Sequence, residues 1–201
     1  MKTNSRVALM MAILASPLAK AGKMAELTER AGQGEVAAMA ELASRHEKGD
    51  GTARDMAAAL IWYQQAAQRG DAAAQMKLGG LYLGGKGIKK DSGEAAKWFI
   101  LCAEQGNAAA QCQVGRMYLA GAGMPQNEVA AYQWAALAAL QGHSPARRLI
   151  AFLEQRMSLA QLEEGRQRAA DFLALKTMNL PLELPAEMAS PPEPDILEST
   201  E

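Results

Sequence analysis

The chain has 201 residues, with 21 lysines and arginines against 22 aspartates and glutamates and a formal net charge of −1. This balance argues against a nucleic-acid-binding protein, which normally carries a basic excess. Two histidines and two cysteines leave little for a zinc site or a dense disulfide framework. Alanine occurs 42 times and leucine 23 times, whereas valine, isoleucine and threonine together occur 15 times, so the composition favours an all-α fold.

Residues 1–21 have the pattern of a secretory signal peptide. Lys2 and Arg6 precede an apolar run at 7–15, and Ala19-Lys20-Ala21 offers a small-x-small cleavage site. The run is about half as long as a bilayer-spanning helix, which argues against a permanent membrane span. The alternative is a first helix packed on the rest of the chain, although the run has no polar face. We expect export to the periplasm or the medium, with cleavage after Ala21.

The strongest pattern is an internal repeat. Trp62, Trp98 and Trp134 are each 36 residues apart, and several glycines and alanines follow the same step. Self-similarity at such a period is typical of stacked helical units. The pattern predicts the following segments: an N-terminal capping helix at 22–33, repeats at 34–69, 70–105 and 106–141, and C-terminal capping helices at 142–178.

Each repeat is predicted to form two helices. In the second repeat, Asp71 and Asp91 cap the two helices, and Gly84–Gly87 forms the turn between them. Glu94, three residues after Asp91, is predicted to complete an analogue of the capping box. One such helix pair cannot bury both of its apolar stripes, so the pairs are expected to stack into a solenoid.

Two glycines inside the predicted first helices, Gly79 and Gly115, are unexpected, because glycine weakens a helix. They suggest a close approach between helices that a larger side chain would block. Farther along, Ser158 and Gln161 form a capping box at the start of the last helix.

Residues 179–201 differ from the rest of the chain. They contain five prolines, and their six charged residues are all acidic. Prolines at this density block helices and like charges repel, so the segment is predicted to be disordered. It is either a solubilising terminus or a short linear motif for another protein.

The unit resembles the Sel1-like repeat, a relative of the tetratricopeptide repeat, over residues 34–142. The family pattern is Ala-x-x-x-Leu-Gly-x-x-Tyr-x-x-Gly-x-Gly, then Asp-x-x-x-Ala-x-x-Trp-x-x-x-Ala-Ala-x-x-Gly. The second unit matches at Ala74, Leu78, Gly79, Tyr82, Gly85, Gly87, Asp91, Ala95, Trp98, Ala103 and Gly106. The third matches at Ala110, Val114, Gly115, Tyr118, Gly121, Gly123, Ala131, Trp134, Ala138, Ala139 and Gly142. The first departs from it with Ala43 for glycine and His46 for tyrosine.

This resemblance implies a right-handed superhelical α-solenoid of antiparallel helix pairs. The implied function is that of an adaptor or scaffold that binds a protein or peptide on its concave helical surface, often in bacterial envelopes. The sequence shows no convergent set of titratable groups and no Ser-His-Asp or Cys-His arrangement, so we expect neither an enzyme nor a cofactor. Two other functions stay open: a structural subunit of an envelope assembly, and, with less support, an enzyme acting on cell-wall material.

A binding groove follows by analogy with tetratricopeptide grooves, which are lined by first-helix positions. The corresponding residues here are Met76, Gly80, Leu83, Cys112, Arg116 and Leu119, with Lys77 and Gln113 at the rim. Alternatively, the apolar members simply pack against neighbouring units. Arg116 is the best single candidate, because it is a charged residue at a repeat position that small residues otherwise occupy. We expect Arg116→Ala to weaken partner binding, measured by pull-down, without lowering thermal stability.

Cys102 and Cys112 flank the turn at Gly106. Cysteine-rich secreted members of the family bridge helices across this turn, with cysteines eight residues apart. Here the two are ten apart, so a disulfide depends on geometry, and the alternative is two small buried side chains. His46 occupies the repeat position at which the other two repeats have a core tyrosine. It is therefore expected to be a packed residue and not a metal ligand.

Overall fold

The computed structural model describes residues 22–178, and within this range the chain is helical, with no strand. The predicted signal peptide and the acidic segment 179–201 lie outside the described residues. The helices are α1 (22–32), α2 (Val36–Lys48), α3 (Met56–Gln68), α4 (Ala72–Gly84), α5 (Ser92–Glu104), α6 (Ala108–Ala120), α7 (Glu128–Leu140), α8 (Ser144–Glu154) and α9 (Leu159–Thr177). No helix of this range is both long and apolar enough to cross a membrane.

Equivalent helices of successive repeats begin 36 residues apart, as the sequence pattern predicted. The first helices α2, α4, α6 and α8 begin at residues 36, 72, 108 and 144, and the second helices α3, α5 and α7 begin at 56, 92 and 128. The all-α prediction and the predicted helix pairs are confirmed.

The second helices begin at equivalent side-chain caps. Asp55 Oδ1 accepts from the backbone N–H of Ala58 at 3.0 Å, and Asn127 Oδ1 accepts from Ala130 at 2.9 Å. Asp91 Oδ1 accepts from the N–H groups of Gly93 and Glu94. Such caps stabilise a helix by about 1 kcal/mol each.

The predicted capping-box role of Glu94 is wrong. The backbone N–H of Asp91, which Glu94 would have to accept from, donates instead to the carbonyl of Tyr82 at 3.0 Å. The Glu94 carboxylate lies 2.7 Å from the ammonium of Lys97, one turn farther along α5. By contrast, Ser158 and Gln161 form the reciprocal capping box predicted at the start of α9.

The chain falls into two compact units that divide between Ala74 and Gln75. In the first unit, α2 packs against α3, and the buried side chains include Leu27 of α1, Leu42 of α2 and Tyr63 of α3. The Tyr63 hydroxyl donates to the Glu47 carboxylate at 3.0 Å. Trp62 is half-buried.

In the second unit, the helices pack in chain order, α5 on α6, α6 on α7, and both α8 and α9 on α7. Trp98 and Trp134 are buried in this core. The Trp134 ring meets Phe172 of α9 edge to face, with ring centroids 5.3 Å apart. The last two helices therefore close the core at the end of the repeats.

The interior glycines mark close contacts between helices, as predicted. A Cβ on Gly115 would lie 3.0 Å from the carbonyl oxygen of Ala131, the backbone of α7. A Cβ on Gly79 would lie 2.7 Å from the Phe99 ring. The same holds for Gly165 of α9, where a Cβ would lie 2.9 Å from the Tyr132 ring, a contact that the repeat pattern did not reveal.

Candidate functional site

The predicted groove residues lie on α4 and α6 of the second unit, with different degrees of exposure. Gly80 and Arg116 are exposed to solvent. The half-buried members are Met76, Lys77, Leu83, Gln113 and Leu119. The structure thus leaves most of the predicted groove residues within reach of a partner.

Cys112 is the exception, because it is only 3% exposed. Its side chain packs with Ala138 of α7 and Ala146 of α8. The helix that follows the third repeat covers this position, so Cys112 belongs to the core and does not line an open groove.

The two cysteines are buried free thiols in the structure, without a disulfide between them. Burial raises the pKa of the Cys112 thiol, and the nearby guanidinium groups of Arg116 and Arg148 partly offset this rise. Arg116 of α6 and Arg148 of α8 are both exposed, and they are 32 residues apart in the sequence.

Two buried glutamines of the second unit, Gln75 and Gln111, are each hydrogen-bonded to another glutamine. Gln111 is 2% exposed, and its amide donates to the carbonyl of Ala103 at 3.1 Å and accepts from Gln141 at 2.8 Å. Gln105 donates in the same way to Gln75 at 2.7 Å. The sequence carries a signal for both pairs, because Gln75 and Gln111, and likewise Gln105 and Gln141, are 36 residues apart. Their role is to tie consecutive helices together.

His46 is half-buried, and its Nδ1 atom is buried without a hydrogen-bond partner. In residues 22–178, no group of three or more histidine, cysteine, aspartate or glutamate side chains is arranged to hold a metal ion.

An open apolar hollow of about 390 Å³ lies among α7, α8 and α9. Leu140, 72% exposed, and Leu173, 42% exposed, stand beside it. Arg166 contributes the charged part of its lining.

Comparison with known proteins agrees with this architecture. The Sel1 repeat model matches three consecutive stretches of the chain, 36–71, 72–107 and 108–143. The chain belongs to the Sel1 repeat family. The matched stretches have the predicted 36-residue length and begin two residues later than the bounds inferred from the tryptophans. Proteins of the Sel1 repeat family are generally protein-interaction scaffolds with an all-α solenoid fold.

Two solved structures illustrate the relationship. A Sel1 repeat protein from Oxalobacter formigenes is 33% identical, with a TM-score of 0.61, over 64% of this chain and 97% of that one. The protein c5321, a protective antigen present in uropathogenic Escherichia coli strains and displaying an SLR fold, is 25% identical, with a TM-score of 0.51. That match covers 81% of this chain but only 44% of c5321. No curated protein sequence matches the chain.

Proposed function

We propose that this Sel1 repeat protein is an exported scaffold that binds a protein or peptide on the first helices of its second unit. We call this surface the first-helix face and define it by Lys77, Gly80, Leu83, Arg116, Leu119 and Arg148. The observation that supports it is the open space above Gly80, where a Cβ would have no atom within 4 Å. One turn of α4 thus offers bare backbone to a partner, and Arg116, at the equivalent position of the next first helix, is also exposed.

A bulky side chain at Gly80 tests this proposal. Gly80→Trp would fill the open space without touching the core, so partner capture from envelope extract should be lost while the melting temperature stays close to that of the wild type. Ala160→Trp, at an exposed position near the start of α9, is the matched control and should leave capture intact. Equal capture by both variants would place the binding surface elsewhere.

Export is proposed from residues 1–21, whose pattern is that of a secretory signal. The relationship to c5321, a protective antigen, is compatible with an exported protein. The test is N-terminal sequencing of the protein from the periplasmic fraction, where we expect a mature chain that begins at Gly22. Intact protein beginning at Met1 in the cytosol would reject this part of the proposal.

The second candidate function is a structural subunit of an envelope assembly, favoured by the apolar hollow beside Leu140 and Leu173. Exposed apolar surface of this kind often marks an interface with another protein. Mass measurement of the purified mature protein separates the two: a monomer supports the scaffold, whereas a stable oligomer that Leu140→Ser dissociates supports the subunit.

A further inference from the structure

The apolar hollow among α7, α8 and α9 is part of a longer groove. It adjoins a second hollow of about 320 Å³, because Leu140 and Leu173 line both. The second hollow is also lined by Phe172 and Lys176 of α9 and by the end of α7 at Gln141. We call the two hollows together the α7–α9 groove.

The groove follows α9 to its last turn. Arg166 lines the first hollow, and Lys176 lines the second. These residues are ten apart, which in an α-helix corresponds to about 15 Å. Since α9 ends at Thr177 and the described part of the chain ends at Met178, the next residues of the chain start beside one end of this groove.

The sequence that follows has an apolar edge of matching length. Leu180, Leu182 and Leu184 alternate with Pro181 and Glu183. Proline disfavours the helical conformation for the residue before it, so an extended conformation is expected here. In an extended chain, alternate side chains point to the same side, and five residues span about 13 Å. The three leucines can therefore lie along nearly the whole groove.

The charges of the groove favour an acidic occupant. Its lining includes the cations Arg166 and Lys176 and no carboxylate. Residues 179–201 contain six acidic residues, among them Glu183, and no basic residue. Both cations already have carboxylates near them: two glutamates lie 3.7 and 3.9 Å from Arg166, and Lys176 attracts the half-buried Glu104. We therefore expect charge to orient the segment and the leucines to supply most of the affinity.

We propose that residues 180–184 dock into the α7–α9 groove of the same chain as an extended segment, with their three leucines against Leu140 and Leu173. Docking within one chain is favoured over docking on a second copy, because a short tether gives the segment an effective concentration in the millimolar range. The disorder predicted for 179–201 then applies to the residues beyond the docked part. None of the groove residues belongs to the first-helix face, so this site is independent of the scaffold function proposed above.

A competition experiment tests the proposal. The receptor is the full mature chain bearing Leu180→Ser, Leu182→Ser and Leu184→Ser, and the probe is a fluorescent peptide with the wild-type sequence of residues 179–190. We expect the probe to bind this receptor with a Kd on the order of 0.1 mM. The wild-type chain should bind it about tenfold more weakly, because its own segment competes at an effective concentration of about 1 mM.

Two matched controls accompany the measurement. A chain bearing Met188→Ser, Ile196→Ser and Leu197→Ser loses three apolar residues farther along the segment and should bind the probe as weakly as the wild type does. Adding Leu140→Ser to the receptor should weaken binding about five- to tenfold, because an apolar contact of the groove is lost. Adding Leu159→Ser, at an 86% exposed leucine outside the groove, should leave binding unchanged.

The proposal is overturned if the receptor does not bind the probe at about 1 mM, if the wild-type chain binds it as tightly as the receptor does, or if Leu140→Ser has no effect. Release of the probe at about 0.5 M salt, where exposed charges are screened, would overturn it as well, because the leucines would then not carry the binding. Light scattering covers the remaining occupant: a wild-type dimer that the serine substitutions at 180, 182 and 184 convert to a monomer would place the segment in the groove of a second copy and reject docking within one chain.

Discussion

Two adjacent glycines on α4 have opposite surroundings. Gly79 faces the core, where a Cβ would lie 2.7 Å from the ring of Phe99, itself only 1% exposed. Gly80 faces solvent, with no atom within 4 Å of a Cβ. The same substitution should therefore have opposite effects at two consecutive positions of one helix.

Gly79→Ala should lower the free energy of unfolding by about 1–3 kcal/mol, because the added methyl group forces the packed ring to move. Gly80→Ala should raise it by about 0.5–1 kcal/mol, because alanine loses less backbone entropy than glycine in a helix. Urea denaturation monitored by circular dichroism measures both. Shifts of the same sign would mean that α4 and α5 do not pack as closely as the structure shows.

The buried amide of Gln111 links α6 to the helices on either side of it through hydrogen bonds. Gln111→Leu keeps most of the side-chain volume but leaves the carbonyl of Ala103 and the amide of Gln141 without this partner. The Ala103 carbonyl still accepts from the backbone N–H of Gly106 and the exposed Gln141 amide can bind water, so we expect a loss of about 0.5–1.5 kcal/mol in the free energy of unfolding, the usual net contribution of a hydrogen bond.

Gln113→Leu, two residues along α6 and half-buried, is the control and should change stability by less than about 0.5 kcal/mol. Equal effects of the two substitutions on the urea midpoint would show that the hydrogen bonds of Gln111 contribute nothing to stability.

At the residue scale, the sequence allowed a correct prediction where a residue destabilises the helix in which it lies. Glycine inside a helix is such a case, and the close approach at Gly79 and Gly115 was predicted from it. The prediction failed at Cys112, because burial there depends on Ala146, which belongs to a different helix 34 residues later. Periodicity identifies equivalent positions, but it does not show which neighbour covers them.

At the scale of elements, helix ends were predictable because their chemistry is local. The caps at Asp55, Asp91 and Asn127 each satisfy an N–H within three residues, and one turn is enough to recognise them. The capping box of Glu94 failed because the competing acceptor, the carbonyl of Tyr82, belongs to the preceding helix.

The turn between α6 and α7 makes a contact beyond its own helix pair. Gly123 has a φ of 77°, and a Cβ there would overlap the carbonyl oxygen of Ser92 and lie 2.7 Å from the backbone N of Gly93, at the start of α5. Gly142 has a similar φ of 83°, but a Cβ there would have no atom within 4 Å. The two glycines share the backbone requirement and differ in the space around them.

Gly142→Ala should therefore cost about 1–2 kcal/mol in the free energy of unfolding, the cost of the left-handed conformation alone. Gly123→Ala should cost a further 1–3 kcal/mol or so, because the turn must also move away from α5. Thermal melts of the two variants give the comparison. A Gly123→Ala variant no less stable than Gly142→Ala would contradict the close contact between the turn and α5.

At the scale of the whole molecule, the repeat pattern predicted the fold class and the helix pairs, because each 36-residue repeat forms the same pair of helices. It did not predict which residues of the first helices a partner could reach, since the exposure of a residue depends on how the following repeat covers its helix. Arg116 stays exposed and Cys112 does not, although they are one turn apart on α6.

Solenoids need terminal helices that cover the last apolar face, and α8 and α9 have this position. Leu153, Met157 and Leu162 form one buried cluster with Val129 and Tyr132 of α7. Fully burying a large apolar side chain contributes about 1.5–3 kcal/mol, so the loss of these three contacts would expose apolar surface worth several times RT.

A chain ending at Gly142 should therefore expose the α7 side of this core. We expect it to bind the dye ANS, to aggregate on size-exclusion chromatography, and to show a red-shifted tryptophan spectrum, because Trp134 loses its edge-to-face contact with Phe172. A chain ending at Met178 is the matched control and should neither aggregate nor show a shifted tryptophan spectrum, since it retains both helices. If the chain ending at Gly142 stayed monomeric with an unchanged melting temperature, α8 and α9 would not be capping helices, and the repeats would be stable without them.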